Sequence, residues 1–272
     1  MPAFVLDLRS DPQGGAVVPA HLTSGTIDQL QQCRSVVFMM HGFNVDRADG
    51  TAELTAFGAN LPAVGAGAAV AVLWPGDSMV GPLCYPFETG KADDSAVELA
   101  TFIGDNLPQR PTISLIGHSL GCRVVMETVR QLWIKNIPVA QVCVMAAAVD
   151  NDSLGCAVEY FNAAQFAERV GVLYSPSDRV LRFAYPLGNL LSAFMHWTST
   201  TDAALGYTGT CSSASPPGNP PACVAGIGIP AANGVDHGDY LPAPTGAFNA
   251  KQQAAARFAN SMLAGAAPLI YG

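Results

Sequence analysis

The sequence predicts an α/β fold, a mostly parallel central sheet with helices on both faces. Three observations carry that reading. Short apolar runs recur at 36–40, 69–74, 112–116, 141–149 and 170–174, and each reads as a strand buried on both faces. Segments with helical apolar spacing lie between them, so strands and helices alternate along most of the chain. At the centre, Thr112-Ile113-Ser114-Leu115-Ile116-Gly117-His118-Ser119-Leu120-Gly121 joins a buried strand to a helix through a glycine-flanked serine.

Taken in order, Phe4–Arg9 alternates as a strand does, and Asp11-Pro12-Gln13-Gly14-Gly15 ends it. His21 falls in a loop, and 25–32 reads as a short helix. The run Val36-Val37-Phe38-Met39-Met40 stops at His41-Gly42-Phe43-Asn44. Residues 47–61 carry Ala52, Leu54, Phe57 and Leu61 at helical spacing, with Pro62 as a stop. Ala69 to Trp74 is a second buried strand, closed by Pro75-Gly76-Asp77, and 77–91 reads as irregular. A helix capped by Asp93, Asp94 or Ser95 follows, with Val97, Leu99, Ala100 and Ile103 on its apolar face. Beyond the serine, Val124, Val125, Met126, Val129, Leu132 and Trp133 make a strongly apolar helix. Residues 141–149 form a strand closing on Asp150, 157–168 a helix, and 170–174 a strand leading into Ser175-Pro176-Ser177-Asp178. The last helix spans 250–264.

Half the residues are hydrophobic and 12% are charged, enough apolar material for one large domain over 1–272. The segment 181–235 breaks the alternation, being long, poor in charge and rich in Ala, Gly, Pro and Ser. A stretch of that kind in a compact domain reads as a lid-like excursion over the site. Cys211 and Cys223 bracket 11 residues of it. A bridge there would contribute about 3 kcal/mol in an oxidising compartment and be absent in a reducing one. A net charge of −8 with no basic run argues against nucleic acid or an anionic membrane as partner. No secretory signal is visible and no apolar stretch is long enough to span a bilayer, so a soluble, cytoplasmic protein is expected unless a signal was removed. No Cys or His spacing suggests a metal site.

The glycine-flanked serine has the context of a nucleophile elbow. A serine on so sharp a turn is strained, and a β-carbon two residues to either side would collide with its neighbours, which Gly117 and Gly121 avoid. Ser119 needs a base. Of five histidines, His118 is pinned inside the turn and His41 belongs to the His-Gly turn; His237, in Asp236-His237-Gly238-Asp239-Tyr240, is preferred over His196. Asp178 and Asp150 both end strands and compete to orient the imidazole, with Asp178 favoured by its later position. The amide of Leu120, at the head of its helix, and that of Phe43, in the turn after 36–40, would receive an oxyanion. Asn44 either buttresses that turn or faces the substrate.

The segments V-V-F-M-M-H-G-F-N, L-W-P-G, S-L-I-G-H-S-L-G, M-A-A-A-V-D, L-Y-S-P-S-D-R-V-L and V-D-H-G-D-Y resemble the α/β-hydrolase superfamily, in particular poorly characterised bacterial esterase- and lipase-like hydrolases. The resemblance implies Ser119 as nucleophile, Asp178 as acid and His237 as base, with Phe43 and Leu120 as oxyanion donors. It also implies small acyl or lipid-like ester substrates and no metal or organic cofactor. A single His-Gly turn is similar to that of enzymes with an ordinary fatty-acyl preference. Residues 185–235 match nothing. An acyltransferase using the same residues, or a binding protein with a relict site, are the rival expectations.

Overall fold

A computed structural model describes residues 4–12, 15–65, 67–77, 85–107, 111–156, 158–184, 203–211, 218–244, 248–266, 269 and 271. Eight strands form one sheet. They are β1 (Phe4–Arg9), β2 (Val17–Ser24), β3 (Ser35–Met40), β4 (Ala68–Leu73), β5 (Thr112–His118), β6 (Gln141–Met145), β7 (Arg169–Tyr174) and β8 (Val224–Gly228). Their order is β2-β1-β4-β3-β5-β6-β7-β8. Only the β1–β2 pair is antiparallel.

The helices are α1 (Ile27–Gln31), α2 (Arg47–Ala59), α3 (Tyr85–Asn106), α4 (Gly121–Ile134), α5 (Phe161–Phe166), α6 (Leu205–Thr208) and α7 (Ala250–Leu263). Successive side chains of the central strands go to opposite faces. Val36, Phe38 and Met40 of β3 pack with Leu99 of α3 and Val125 and Val129 of α4. Val37 and Met39 pack with Leu54 and Phe57 of α2 and Phe258 and Met262 of α7. The continuous apolar runs are therefore the sheet's two cores, as expected of a parallel sheet covered on both sides.

This topology places a crevice. After β3 the chain crosses to β4 on one side, and after β5 it crosses to β6 on the other, although β3 and β5 are hydrogen-bonded neighbours. Loops leaving their carboxyl ends diverge, and ligands bind open α/β sheets at such a switch point.

Several elements differ from the sequence reading, each for a physical reason. Residues 17–24 form an edge strand, so His21 lies in β2, opposite Asp7, and not in a loop. Pro19 is tolerated because an edge strand has one unpaired side. Helix α3 begins at Tyr85, so Asp93, Asp94 and Ser95 are interior and do not cap it. Pro86 sits in its first turn, where no N–H is required. Asp93 instead takes a two-pronged ion pair from Arg123 of α4, at 2.8 and 3.0 Å. Strand β6 stops at Met145, since Ala146 turns to a positive φ of 47°. Residues 147–149 then bind a returning chain, through Gly206 N to Ala147 O and Leu205 N to Val149 O.

Within 181–235, residues 224–228 are an eighth strand parallel to β7, and 205–208 are helix α6. Residues 185–202 and 212–217 of the expected lid, His196 included, lie outside the described residues. Cys211 and Cys223 are free thiols rather than a disulfide. Cys223 opens β8 and donates to Ala164 O of α5 at 3.1 Å, which turns its sulfur toward the helix. No described helix is long and apolar enough to cross a membrane.

Candidate active site

Between β5 and α4 only Ser119 and Leu120 remain, and the turn is correspondingly sharp. Ser119 has φ 54°, a left-handed conformation that is costly for a residue with a side chain. Three hydrogen bonds hold it there. Its N–H donates to Met145 O at 3.1 Å, and its carbonyl accepts from Cys122 N at 3.0 Å and Ala148 N at 3.1 Å. The flanking glycines are required by crowding. A Cβ on Gly121 would lie 2.3 Å from His41 O, and one on Gly117 would lie 2.9 Å from the Cys122 Cα.

Two turns from distant parts of the sequence meet the serine hydroxyl. Asp178 follows β7, is fully buried, and accepts Leu181 N on Oδ1 at 2.9 Å. Its Oδ2 accepts the His237 Nδ1–H at 2.8 Å. His237 opens a 3-10 turn (His237–Asp239) whose first amide is capped by the Asp236 carboxylate at 2.9 Å. With Nδ1 donating to a carboxylate, Nε2 is left as acceptor, and Ser119 Oγ donates to it at 2.8 Å. The expected trio is thus brought together. Asp150 is elsewhere, in a backbone bridge with Ala204 on the returning chain.

The turn after β3 abuts the serine from the other side. A Cβ on Gly42 would stand 3.1 Å from Ser119 Cβ, so only glycine permits this approach. Phe43 follows it and lines the same cleft as Ser119. Leu120 is at the head of α4, where the first amides have no intrahelical acceptor and the helix dipole favours an anion. Asn44 has φ 59° and is exposed; its amide donates to Gly76 O at 2.8 Å, and it is not among the residues lining the cleft. Asparagine suits this position because it tolerates the left-handed region.

Buried groups that sequence reasoning missed support this turn. Arg9, at the end of β1, donates to Val45 O at 3.0 Å and Pro12 O at 2.8 Å and forms an ion pair with Asp77. It is fully buried, tying the turns after β3 and β4 together. Val45 and Asp77 are far away in sequence, so no local signal marks this role. His41 is also fully buried. It donates from Nδ1 to Gly42 O at 2.9 Å, accepts Trp74 N on Nε2 at 3.3 Å and stacks on the Trp74 ring. Burial lowers its pKa to about 4, so it stays neutral at ordinary pH.

His118 has a role its position in the motif did not disclose. Its Nε2–H donates to the carbonyl of His237 at 2.9 Å, with ring centroids 5.0 Å apart. Burial, then the neighbouring His237, lower its pKa to about 3. A permanently neutral ring therefore props the backbone of His237. The cleft has a volume of about 110 Å³, and Val45, Glu53, Gly238 and Leu241 complete its walls with the residues above. Glu53 was also missed, because helical spacing alone does not say that α2 borders the cleft.

Comparison with known proteins agrees with this architecture. The family described as alpha/beta hydrolase of unknown function (DUF900) matches residues 21–190, and the chain belongs to it. No curated protein matches. Among solved structures, a predicted CIB-like hydrolase from Thermoplasma acidophilum is 13% identical with a TM-score of 0.46, over 98% of each chain. An esterase of Pyrobaculum calidifontis is 13% identical with a TM-score of 0.44, over 85% of this chain and 77% of its own. The RedJ thioesterase of the prodiginine biosynthetic pathway in Streptomyces coelicolor is 15% identical with a TM-score of 0.30, over 43% of this chain and 40% of its own.

Proposed function

From membership in an α/β-hydrolase family, we propose that this protein is a serine hydrolase that cleaves carboxylic esters through an acyl-enzyme. The observation that carries the reading is the continuous hydrogen-bond chain from Asp178 through His237 to Ser119, 2.8 Å at each step. That is the arrangement in which a hydroxyl loses its proton as it attacks.

His237 Nε2 takes the Ser119 proton while Oγ bonds to the ester carbonyl carbon. The resulting oxyanion is received by the amides of Phe43 and Leu120, and one such donor is worth about 3 kcal/mol in the barrier. The carbon–oxygen bond to the leaving alcohol then breaks, and His237 returns its proton to that alcohol. Water enters, loses a proton to His237 and attacks the acyl-enzyme, which releases the carboxylic acid and restores Ser119. Asp178 keeps its negative charge throughout and stabilises the transient imidazolium. The described cleft, about 110 Å³, favours a short acyl group. No step requires a metal or organic cofactor.

A fluorophosphonate probe tests this directly. An adduct on Ser119, together with hydrolysis of p-nitrophenyl butyrate that is lost in Ser119→Ala, is expected. A folded protein that neither labels nor hydrolyses would overturn the reading. Product analysis with added alcohols separates hydrolysis from acyl transfer.

A further inference from the structure

The walls of the cleft contain three ionisable side chains, and two of them are already committed. His237 is bonded to Ser119 and Asp178, and His118 to the His237 carbonyl. The third is Glu53, half-buried on α2. No described residue is hydrogen-bonded or ion-paired to its carboxylate. The charges that act on it are Asp49, one helical turn earlier, and Asp46 at the helix N-cap, both negative. The cation of this turn, Arg47, is spent on Asp7 at 2.7 Å. The remaining wall groups at this end, Gly42, Phe43, Val45 and Leu241, supply apolar surface or backbone.

A carboxylate on the wall of a small cleft, with two like charges behind it and no countercharge among the described residues, lacks one thing. We propose that Glu53 selects esters that carry a cationic nitrogen a few bonds from the scissile carbonyl. The inference rests on ester hydrolysis at Ser119. Burial, and then the two aspartates, raise the Glu53 pKa to about 7, which marks a site where the anion is poorly compensated. A bound ammonium supplies the missing countercharge, and a charge-assisted contact of that kind contributes more than a neutral hydrogen bond.

The test compares isosteric pairs that differ only in charge. Choline butyrate against 3,3-dimethylbutyl butyrate places the cation on the alcohol side. The p-nitrophenyl esters of 4-(trimethylammonio)butanoate and 5,5-dimethylhexanoate place it on the acyl side. In wild type, kcat/KM for the charged member of one pair should exceed its neutral partner by about tenfold, from the attraction of the carboxylate for a quaternary ammonium that offers charge but no N–H. In Glu53→Gln the ratio should fall toward one. The ratio should also rise between pH 6 and pH 8 as Glu53 ionises. Taking a ratio cancels every pH effect that both substrates share, and His118 stays neutral across this range.

Ratios near one for both pairs in wild type would overturn the proposal, without requiring any variant to fold. A preference that survives Glu53→Gln would also overturn it, by assigning the selection to another group. If wild type cleaves neither member of either pair and Ser119 takes no fluorophosphonate, the ester-hydrolase reading falls first, and this one with it.

Discussion

The two sides of Ser119 are held by different physics. On the side of the proposed oxyanion donors, the turn of residues 41–46 is fixed by buried groups: His41 on Gly42 and Trp74, and Arg9 on Val45 and Asp77. On the side of Asp178 and His237, Asp178 and Ser175 are fully buried, Ser175 donating to Val235 O at 2.7 Å, and the turn carrying His237 has further ties nearer the surface. Arg179 donates to Asp236 at 2.6 Å with its side chain 79% exposed, and Lys251 reaches Asp239 at 2.7 Å. The difference teaches where rigidity is needed. Amides that receive a developing charge must be fixed before reaction. A histidine that shuttles a proton needs a set tautomer and a reachable serine, which Asp178 and His118 already provide.

The largest expected effects concern the chemistry itself. Ser119→Ala should abolish hydrolysis of p-nitrophenyl butyrate, with kcat falling roughly 10⁶-fold, and the melting temperature should stay near wild type. Asp178→Asn should cost roughly 10⁴-fold in kcat, while Asp150→Asn should change it little. The reverse ranking would move the orienting role to Asp150 and undo the description of the acid–base side.

Next comes the buried side. Arg9→Met leaves Asp77 without its partner and should destabilise the protein by about 3–5 kcal/mol in urea unfolding. The double variant Arg9→Met, Asp77→Asn should recover part of that loss. A single variant within about 1 kcal/mol of wild type would show that the oxyanion turn does not depend on this pair.

Acidification should reveal the buried histidines. His41 and His118 have folded pKa values lowered to about 4 and about 3, against an ordinary 6.5. The unfolded chain therefore binds their protons first as pH falls. The histidines' contribution to stability is whole above about pH 6.5 and declines below it, by up to about 1.4 kcal/mol per pH unit for each, down to the folded pKa, while Glu53, raised to about 7, contributes a slope of opposite sign below pH 7. His118→Gln should flatten part of that slope between pH 6 and pH 4. A slope unchanged by the substitution would mean that the ring is not held neutral.

The smallest effects belong to the exposed ties. Arg179→Ala or Lys251→Ala should each change stability by less than about 1 kcal/mol, and by less still in high salt. An effect as large as that of Arg9→Met would erase the contrast between the two sides.

Much of this was legible in the sequence because it is local. The strands at 36–40, 112–116 and 170–174 announced themselves as apolar runs, since a strand buried on both faces carries few polar residues. Gly117 and Gly121 marked the elbow, since a sharp strand-to-helix turn admits no Cβ at those positions. The meeting of His237 and Asp178 was expected from chain order, from the place of Asp178 after a strand and from that of His237 before the last helix. Strand β8 was not legible. Gly226 and Gly228 lower its strand propensity, and Gly228 is required because the ring of Tyr174 fills the space its Cβ would need, at 2.8 Å. Whether Cys211 and Cys223 pair was not legible, because closeness in sequence says nothing of direction, and Cys223 faces α5.

By itself, then, the amino-acid sequence determined the alternating sheet, the glycine-flanked serine and the order in which its partners follow. Those depend on burial and sterics acting within a few residues. Only the tertiary structure put Asp178 rather than Asp150 against His237, turned His118 onto the His237 backbone, buried Arg9 between two turns and set Glu53 on the wall of the cleft. Each of those depends on groups tens of residues apart meeting at the carboxyl ends of neighbouring strands, where the order of the sheet, and not the local sequence, chooses the neighbours.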